Sequence, residues 1–382
     1  MEPLKAAFAM TGNPVLIVID ALDECEHGGD TILKIFADSI TSFPRLKLFI
    51  TTRPEYHIRI VLDRCHHFKR FHLQDIDKSV VQSDIRLYLD FHLSKEKVRR
   101  QLPYLAYAWE PAEEDMRVLV GICGTLFILA STAVRFILDS KQPNPAGHLS
   151  RLLKGVSRQD FSGSKYTTAM DSFYSQVLRS AVPDHDPDDW FVCYQMVVGT
   201  IIALQYPLTC RALSTFVEHD IQCALSHLHS LIPPTGQDLT FRIYHQSFPD
   251  FVTSPSRCEK GFLIDLPKGH LHLGKRCLTI MNFHLQPNIC KLDSSDRFQD
   301  NRDRHLTQDL ISQELAYAST HWATHLAQAS KLDGDAEQLL DRFADKHLLA
   351  WLEVLSNIRQ VDTAYSSLDV VSKLLVSHCP LR

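Results

Sequence analysis

The ten cysteines of this chain are scattered as singles, with no C-x-x-C pair. That pattern argues against a structural zinc site and against a disulfide framework, and suits reduced thiols in a cytoplasmic protein. There is no excess of positive charge. A formal charge of -5 over 382 residues supplies no basic stripe, and no polybasic or polyacidic tail is present. Nucleic-acid binding is therefore not expected as the main role. The opening MEPLKAAFAM is too short and too weakly apolar for a signal peptide. A full-length membrane span is lacking as well. The one segment that could pass for a span, Val118 to Val134, is uncharged but falls short of about 20 residues, carries Gly, Cys, Ser and Thr, and is followed at once by Arg135. It reads as a buried helix, so no membrane association is expected.

With 45% hydrophobic and 22% charged residues, the composition is that of a globular protein large enough for several cores. Its most informative stretch is Val15 to Cys25, VLIVIDALDEC, followed by Leu46 to Glu55, LKLFITTRPE. Five apolar, mostly β-branched residues ending in an acid predict a strand buried on both faces of a parallel sheet. Asp20 then lies at the carboxyl edge, where open α/β sheets bind ligands. An acid there can hold Mg²⁺, usually through water, and Asp23 and Glu24 just beyond it can orient or deprotonate an attacking water. This is Walker B chemistry.

Its usual counterpart, a G-x-x-x-x-G-K-[ST] phosphate loop, is not found in the fourteen residues before Val15. Without the loop, several charge-assisted hydrogen bonds of roughly 1.5 to 3 kcal/mol each are lost. Three of them amount to about 5 kcal/mol, at least a thousandfold in affinity. Gly163-Ser164-Lys165 does not substitute, because the first glycine is not at the required spacing and no apolar strand precedes it.

Downstream, Asp30 to Ser42 has helical spacing at Ile32, Ile35, Phe36 and Ile40, and His67 to Leu73 is expected to add a third strand. Helices are predicted for Ser79 to His92, near Lys95 to Tyr104, Glu113 to Gly121, and an apolar one ending near Leu138, with Ser140 to Asn144 and Pro145 as a turn. Further helices are expected over Met170 to Ser180, Trp190 to Gln205, Thr209 to Glu218 and Ile221 to Leu231, around an acidic, proline-rich turn at Pro183 to Asp189. A hairpin bending near Pro233-Pro234 and Gly236 should return through Phe241 to His245. Short helices plus a two-stranded wing read as a winged helix. Its presumed second helix, IQCALSHLHSL, has no Arg or Lys for DNA, so it should pack on its own chain. Phe262 to Arg382 reads as helical throughout, with Trp322, Leu326, Leu348, Trp351, Leu352 and Leu355 as apolar positions. His321 and His325 have metal-ligand spacing, but without H-E-x-x-H and a third ligand they read as core or solvated residues.

The fold class is thus α/β plus α: a partial P-loop NTPase-type parallel sheet over residues 1–75, a helical domain over 76–160, a winged-helix domain over 161–258 and a C-terminal helical region over 259–382. VLIVIDALDEC with FITTRPE, then CGTLFILASTAVRFI, then IYHQSFPDFV, in this order, resemble the NACHT module of fungal STAND-type NTPases, the NLR-like proteins of mushroom-forming fungi. The likeness runs from about Asn13 to about Cys258, and the chain reads as a member truncated before Walker B. The resemblance implies a switch held closed by ADP and opened by exchange to ATP, with Mg²⁺ at Asp20 and Asp23 and Glu24 as water-positioning acids. It also implies Arg53 as the γ-phosphate sensor, Gly124 in a turn near the nucleotide base, and His245 as a winged-helix donor to the β-phosphate of ADP. Ser247, Phe248, Asp250 and Phe251 complete the pattern around His245. Protein partners are implied too, through self-association or through effector and repeat domains. The expected function is a regulatory module without efficient NTP hydrolysis; the alternatives are an interaction scaffold with a vestigial site and an NTPase whose phosphate loop comes from a partner chain.

Overall fold

The computed structural model describes residues 15–22, 25, 29–39, 46–52, 58, 60–61, 69, 71, 73–105, 107–156, 166–183, 185–217, 219–236, 238–290 and 310–378. The protein is mostly helical, with a small two-stranded parallel sheet near its N-terminus. It divides into two compact units, Met1–Asp77 and Lys78–Arg382.

In the first unit, β1 (Val15–Ile19) and β2 (Leu46–Ile50) pair in parallel, Val15 opposite Leu46 and Ile19 opposite Ile50. The helix α1 (Gly29–Ser39) connects them. A parallel pair needs such a crossover because its strands run the same way. The expectation that β1 is buried on both faces is not met: Leu16 and Val18 are 61% and 60% exposed and Phe49 57% exposed. Only alternate positions turn inward. Ile19 and Ile50 pack on a small core of Leu22, Leu33, Ile58 and Val61, so one face of the strand pair is covered and the other is open to solvent. The helix likewise buries Leu33, while Ile32 and Ile35, expected as core positions, are exposed. The expected third strand does not form where it is described. Lys69 and Phe71 have no regular structure and Leu73–Asp75 is a 3₁₀ turn.

The second unit begins with α2 (Lys78–His92), α3 (Lys95–Gln101), α4 (Glu113–Cys123) and α5 (Phe127–Ile137). The apolar stretch Val118 to Val134 is therefore two helices broken at Gly124. No helix among the described residues is long and apolar enough to cross a membrane. Next come α6 (Pro145–Val156), α7 (Tyr166–Ala181) and α8 (Pro187–Ala203). The last of these is buried nearly all round, from Trp190 through Val197 and Val198 to Ala203, which makes it a central rod rather than an amphipathic surface helix.

Two short helices follow, α9 (Cys210–Phe216) and α10 (Ile221–Leu225), each begun by a side-chain cap from Thr209 and Asp220. The expected second helix thus stops at Leu225, and the chain continues in turns that still bury Leu228 and Leu231. The hairpin is present but short: β3 (Pro234–Thr235) pairs antiparallel with β4 (Thr240–Phe241). Its bend uses positive φ at Gly236 (70°) and Leu239 (49°). Beyond it lie α11 (Ser247–Val252) and α12 (Leu266–His284), then α13 (Gln313–Gln328), α14 (Gly334–Lys346), α15 (Leu348–Asn357) and α16 (Asp362–His378). The helices α12 and α13 lie so close that a Cβ on Gly274 would stand 2.5 Å from Leu326 Cδ2. Trp322, Phe343 and Trp351 meet edge to face or tilted at centroid distances of 5.0 to 5.9 Å, an arrangement aromatic quadrupoles favour. One contiguous apolar core runs from Ile85 to Val371.

Candidate functional site

Asp20 stands where the sequence places it, one residue past β1 at the carboxyl end of the parallel pair. The ladder continues past the strands: the Thr51 amide donates to the Ile19 carbonyl at 2.9 Å and the Leu22 amide to the Thr51 carbonyl at 3.0 Å. This brings the Thr51 hydroxyl to Asp20. The hydroxyl accepts from the Ala21 amide at 2.8 Å and donates to the Asp20 carboxylate. Ala21 adopts φ 50°, a left-handed conformation that costs an L-residue roughly 1–2 kcal/mol. Thr51 thus organises the turn that presents the carboxylate. Sequence reasoning did not single it out, because only the strand register sets it beside Asp20.

Asp23, Glu24 and Arg53 lie outside the described residues. The other two expected site residues, Gly124 and His245, belong to the Lys78–Arg382 unit. Gly124 ends α4 with φ 58° and ψ −109°, a conformation open essentially to glycine. Its amide closes the helix on Val120 at 3.0 Å, and the Leu126 amide returns to Cys123 at 2.9 Å before α5 starts.

His245 precedes α11, and its proton can be located by argument. The Ser247 amide, which can only donate, reaches Nδ1 at 3.2 Å, and the Ser247 hydroxyl lies 2.6 Å from the same nitrogen. Nδ1 is therefore the acceptor, and in the neutral ring Nε2 carries the hydrogen. Tyr174 on α7 extends the chain, its hydroxyl 2.7 Å from Ser247 Oγ. Tyr174 also packs on Phe248 and Phe251, with centroids 5.5 and 5.6 Å away. Nothing in the sequence signals a partner 73 positions upstream of Ser247. The residue before His245 packs on α5, where Arg135 lies over the Tyr244 ring at 3.5 Å from its centroid.

Of the two histidines with metal-ligand spacing, His325 is a core residue and His321 is half-buried. His325 is fully buried, its Nε2 2.8 Å from the Tyr317 hydroxyl and its Nδ1 2.9 Å from Nδ1 of His270. Among the described residues no three His, Cys, Asp or Glu side chains are grouped to hold a metal ion. A near match to the phosphate loop, Gly269 to Arg276, ends in arginine where the motif needs Ser or Thr. It lies inside α12, where the amides are spent on the helix.

Comparison with known proteins adds one match. The family model described as Nephrocystin 3, N-terminal, matches residues 2–53. It covers β1, α1 and β2, the segment that carries Asp20 and Thr51. No curated protein and no solved structure matches the chain.

Proposed function

We propose that this chain is a nucleotide-switch regulatory module of the NACHT type, from an NLR-like signalling protein, that does not hydrolyse NTP efficiently by itself. The observation that carries this reading is Asp20 at the carboxyl end of a parallel strand pair, held by the Thr51 hydroxyl, within a segment that matches a domain found in NLR-like proteins. Asp20 and Thr51 offer hard oxygen donors on an exposed strand edge, a set that fits Mg²⁺. When bound, Mg²⁺ would neutralise phosphate charge. Under this reading the β1–β2 pair belongs to a P-loop NTPase-type sheet, and α7 to α11 with the β3–β4 hairpin form the winged-helix domain. His245 with an Nε2 hydrogen is then the right tautomer to donate to a phosphate oxygen of ADP in the closed state. Such a donor contributes only in that state, which is what a switch requires. Arg53 would read the γ-phosphate and Gly124 would shape the turn near the base, while Asp23 and Glu24 would position water. Protein partners, through self-association or effector and repeat domains, complete the proposal.

The test is to release and quantify nucleotide from the purified full-length chain and to measure ATP turnover beside it. ADP at near-stoichiometric amount with turnover at background supports the reading. Steady hydrolysis abolished by Asp20→Ala would overturn it. A second reading, an interaction scaffold with a vestigial nucleotide site, is favoured by the exposed apolar face of Leu16, Val18 and Phe49. It predicts no retained nucleotide and no weakening of ADP binding by His245→Ala.

A further inference from the structure

Two cysteines converge on one carbonyl oxygen in the Lys78–Arg382 unit. The Cys193 thiol, on α8, donates to the backbone oxygen of Asp220 at 3.3 Å. The Cys223 amide donates to that same oxygen at 3.1 Å. Asp220 caps α10, its carboxylate accepting from the Gln222 amide at 2.9 Å, so the turn that carries Cys223 is fixed against α8. Both cysteines line a depression of about 430 Å³ together with His185, Asp189, Trp190 and His219. Cys223 is exposed, Cys193 is buried, and both are free thiols. A metal reading is not supported by this geometry, since no third ligand joins them in a metal-holding group among the described residues.

We propose that Cys193 and Cys223 are a redox-sensitive dithiol that closes to an intramolecular disulfide on exposure to hydrogen peroxide. Exposure makes Cys223 the thiol that meets the oxidant. Its thiolate attacks one peroxide oxygen, the O–O bond breaks, and the product is a Cys223 sulfenic acid with hydroxide, which takes a proton to become water. Cys193 then attacks the Cys223 sulfur, the S–O bond breaks, and the departing hydroxide leaves as a second water with the Cys193 proton. The two thiols lose two electrons and the peroxide gains them. A thiol reductant reverses the step by exchange, its own thiols leaving as a disulfide.

Burial, with the neighbouring Cys223 thiol adding to it, pushes Cys193 up to about 12. Cys193 is therefore the resolving partner and not the sensor, and closure accelerates as pH rises. The cross-link would join the first turn of α10 to the middle of α8. It would also cross the depression that both cysteines line.

The experiment treats the reduced full-length chain with hydrogen peroxide, blocks remaining thiols with N-ethylmaleimide under denaturing conditions, and maps peptides by mass spectrometry. The expected result is a Cys193–Cys223 cross-linked peptide, loss of two alkylatable thiols, and recovery of both with dithiothreitol. Cys223→Ser, a change at an exposed position, should abolish the cross-link. Cys193→Ser should leave a Cys223 sulfenic acid that dimedone traps. If Cys193→Ser fails to fold, the wild-type map still decides the matter. A dimedone adduct on wild-type Cys223 with Cys193 still alkylatable overturns the proposal, as does pairing of either cysteine with a different thiol. Zinc that copurifies with the wild-type chain and is lost in Cys223→Ser overturns it in favour of a metal site.

Discussion

Arg257 grips the Asp171 carboxylate from two nitrogens, Nη2 at 2.6 Å from Oδ1 and Nε at 3.1 Å from Oδ2, across 86 positions of sequence. Its Nη1 reaches the Asp250 carbonyl at 3.3 Å. With Tyr174 on Ser247, this pair ties the His245 to Phe251 segment to α7 at two points. The side chains keep 27% and 18% of their exposure, so water screens the pair in part, yet its forked geometry is the favourable one. Arg257→Ala should lower unfolding stability by about 2 kcal/mol, less than the removal of one partner from a fully buried pair. Arg257→Lys, which loses the fork, should recover only part of it. Urea denaturation of Arg257→Ala, Asp171→Ala and the double variant gives the coupling, and a coupling near zero would show that the pair contributes nothing.

The buried histidines should make the protein acid-sensitive. The Gln205 amide donates to the Tyr317 hydroxyl at 3.0 Å, that hydroxyl lies 2.8 Å from His325 Nε2, and His325 Nδ1 lies 2.9 Å from Nδ1 of His270. A hydrogen bond between two Nδ1 atoms needs one of them bare, so it is lost when both rings are protonated. Burial, reinforced by His270 and His321, lowers His325 to about 3, and burial lowers His321 to about 4. Burial lowers His270 as well. Unfolded histidines take up protons below about pH 6.5, whereas folded His325 and His321 do not until far lower pH. Stability is thus fully present above about pH 6.5 and falls below it, by about 1.4 kcal/mol per ring for each pH unit, until the folded values are reached. His325→Gln removes one titrating ring and should flatten the decline in urea midpoint between pH 7 and pH 5. An unchanged slope would assign the acid sensitivity to other groups.

Much of the helical framework was legible because apolar spacing dictates it. Trp322, Leu326, Trp351 and Leu355 are all buried, although Leu348 and Leu352 are covered only in part. The helix α6 was missed because Pro143 and Pro145 read as breakers. Pro145 in fact opens the helix, where a missing amide hydrogen costs nothing, and the Asn144 side chain accepts from the Gly147 amide at 3.0 Å. Pro187 does the same for α8, inside the expected turn. The error on β1 has a different cause, since a run of apolar residues cannot say how many layers will cover it. At the site, Asp20 was readable from the strand that ends before it. Thr51, Tyr174 and the meeting of Cys193 with Cys223 depend on pairings across 30 or more residues, which local pattern does not encode.

Two glycines on α4 should respond in opposite directions to the same change. A Cβ at Gly124 would meet nothing within 4 Å, so only its φ of 58° resists substitution. Gly124→Ala should cost about 1–3 kcal/mol through backbone strain. Gly121 also has open space but lies within the helix, without positive φ, and Gly121→Ala should stabilise by about 0.5–1 kcal/mol. Thermal unfolding of the pair distinguishes strain from space. Equal effects of one sign would mean that the turn at Gly124 relaxes.

The Thr51 hydroxyl performs two tasks at once, and two substitutions separate them from bulk. It accepts from the Ala21 amide and donates to Asp20. Thr51→Val keeps the shape and removes both bonds, which leaves a strained Ala21 without its hydroxyl partner. Thr51→Ser keeps both. In solvent-accessible surroundings the lost bonds should cost about 1 kcal/mol, which corresponds to roughly fivefold faster amide exchange at Ala21 if exchange follows local opening. Hydrogen exchange resolved to the Ala21 amide by NMR reads this directly. If the valine and serine variants exchange alike, the hydroxyl does not hold the turn, and another interaction must fix the direction of Asp20.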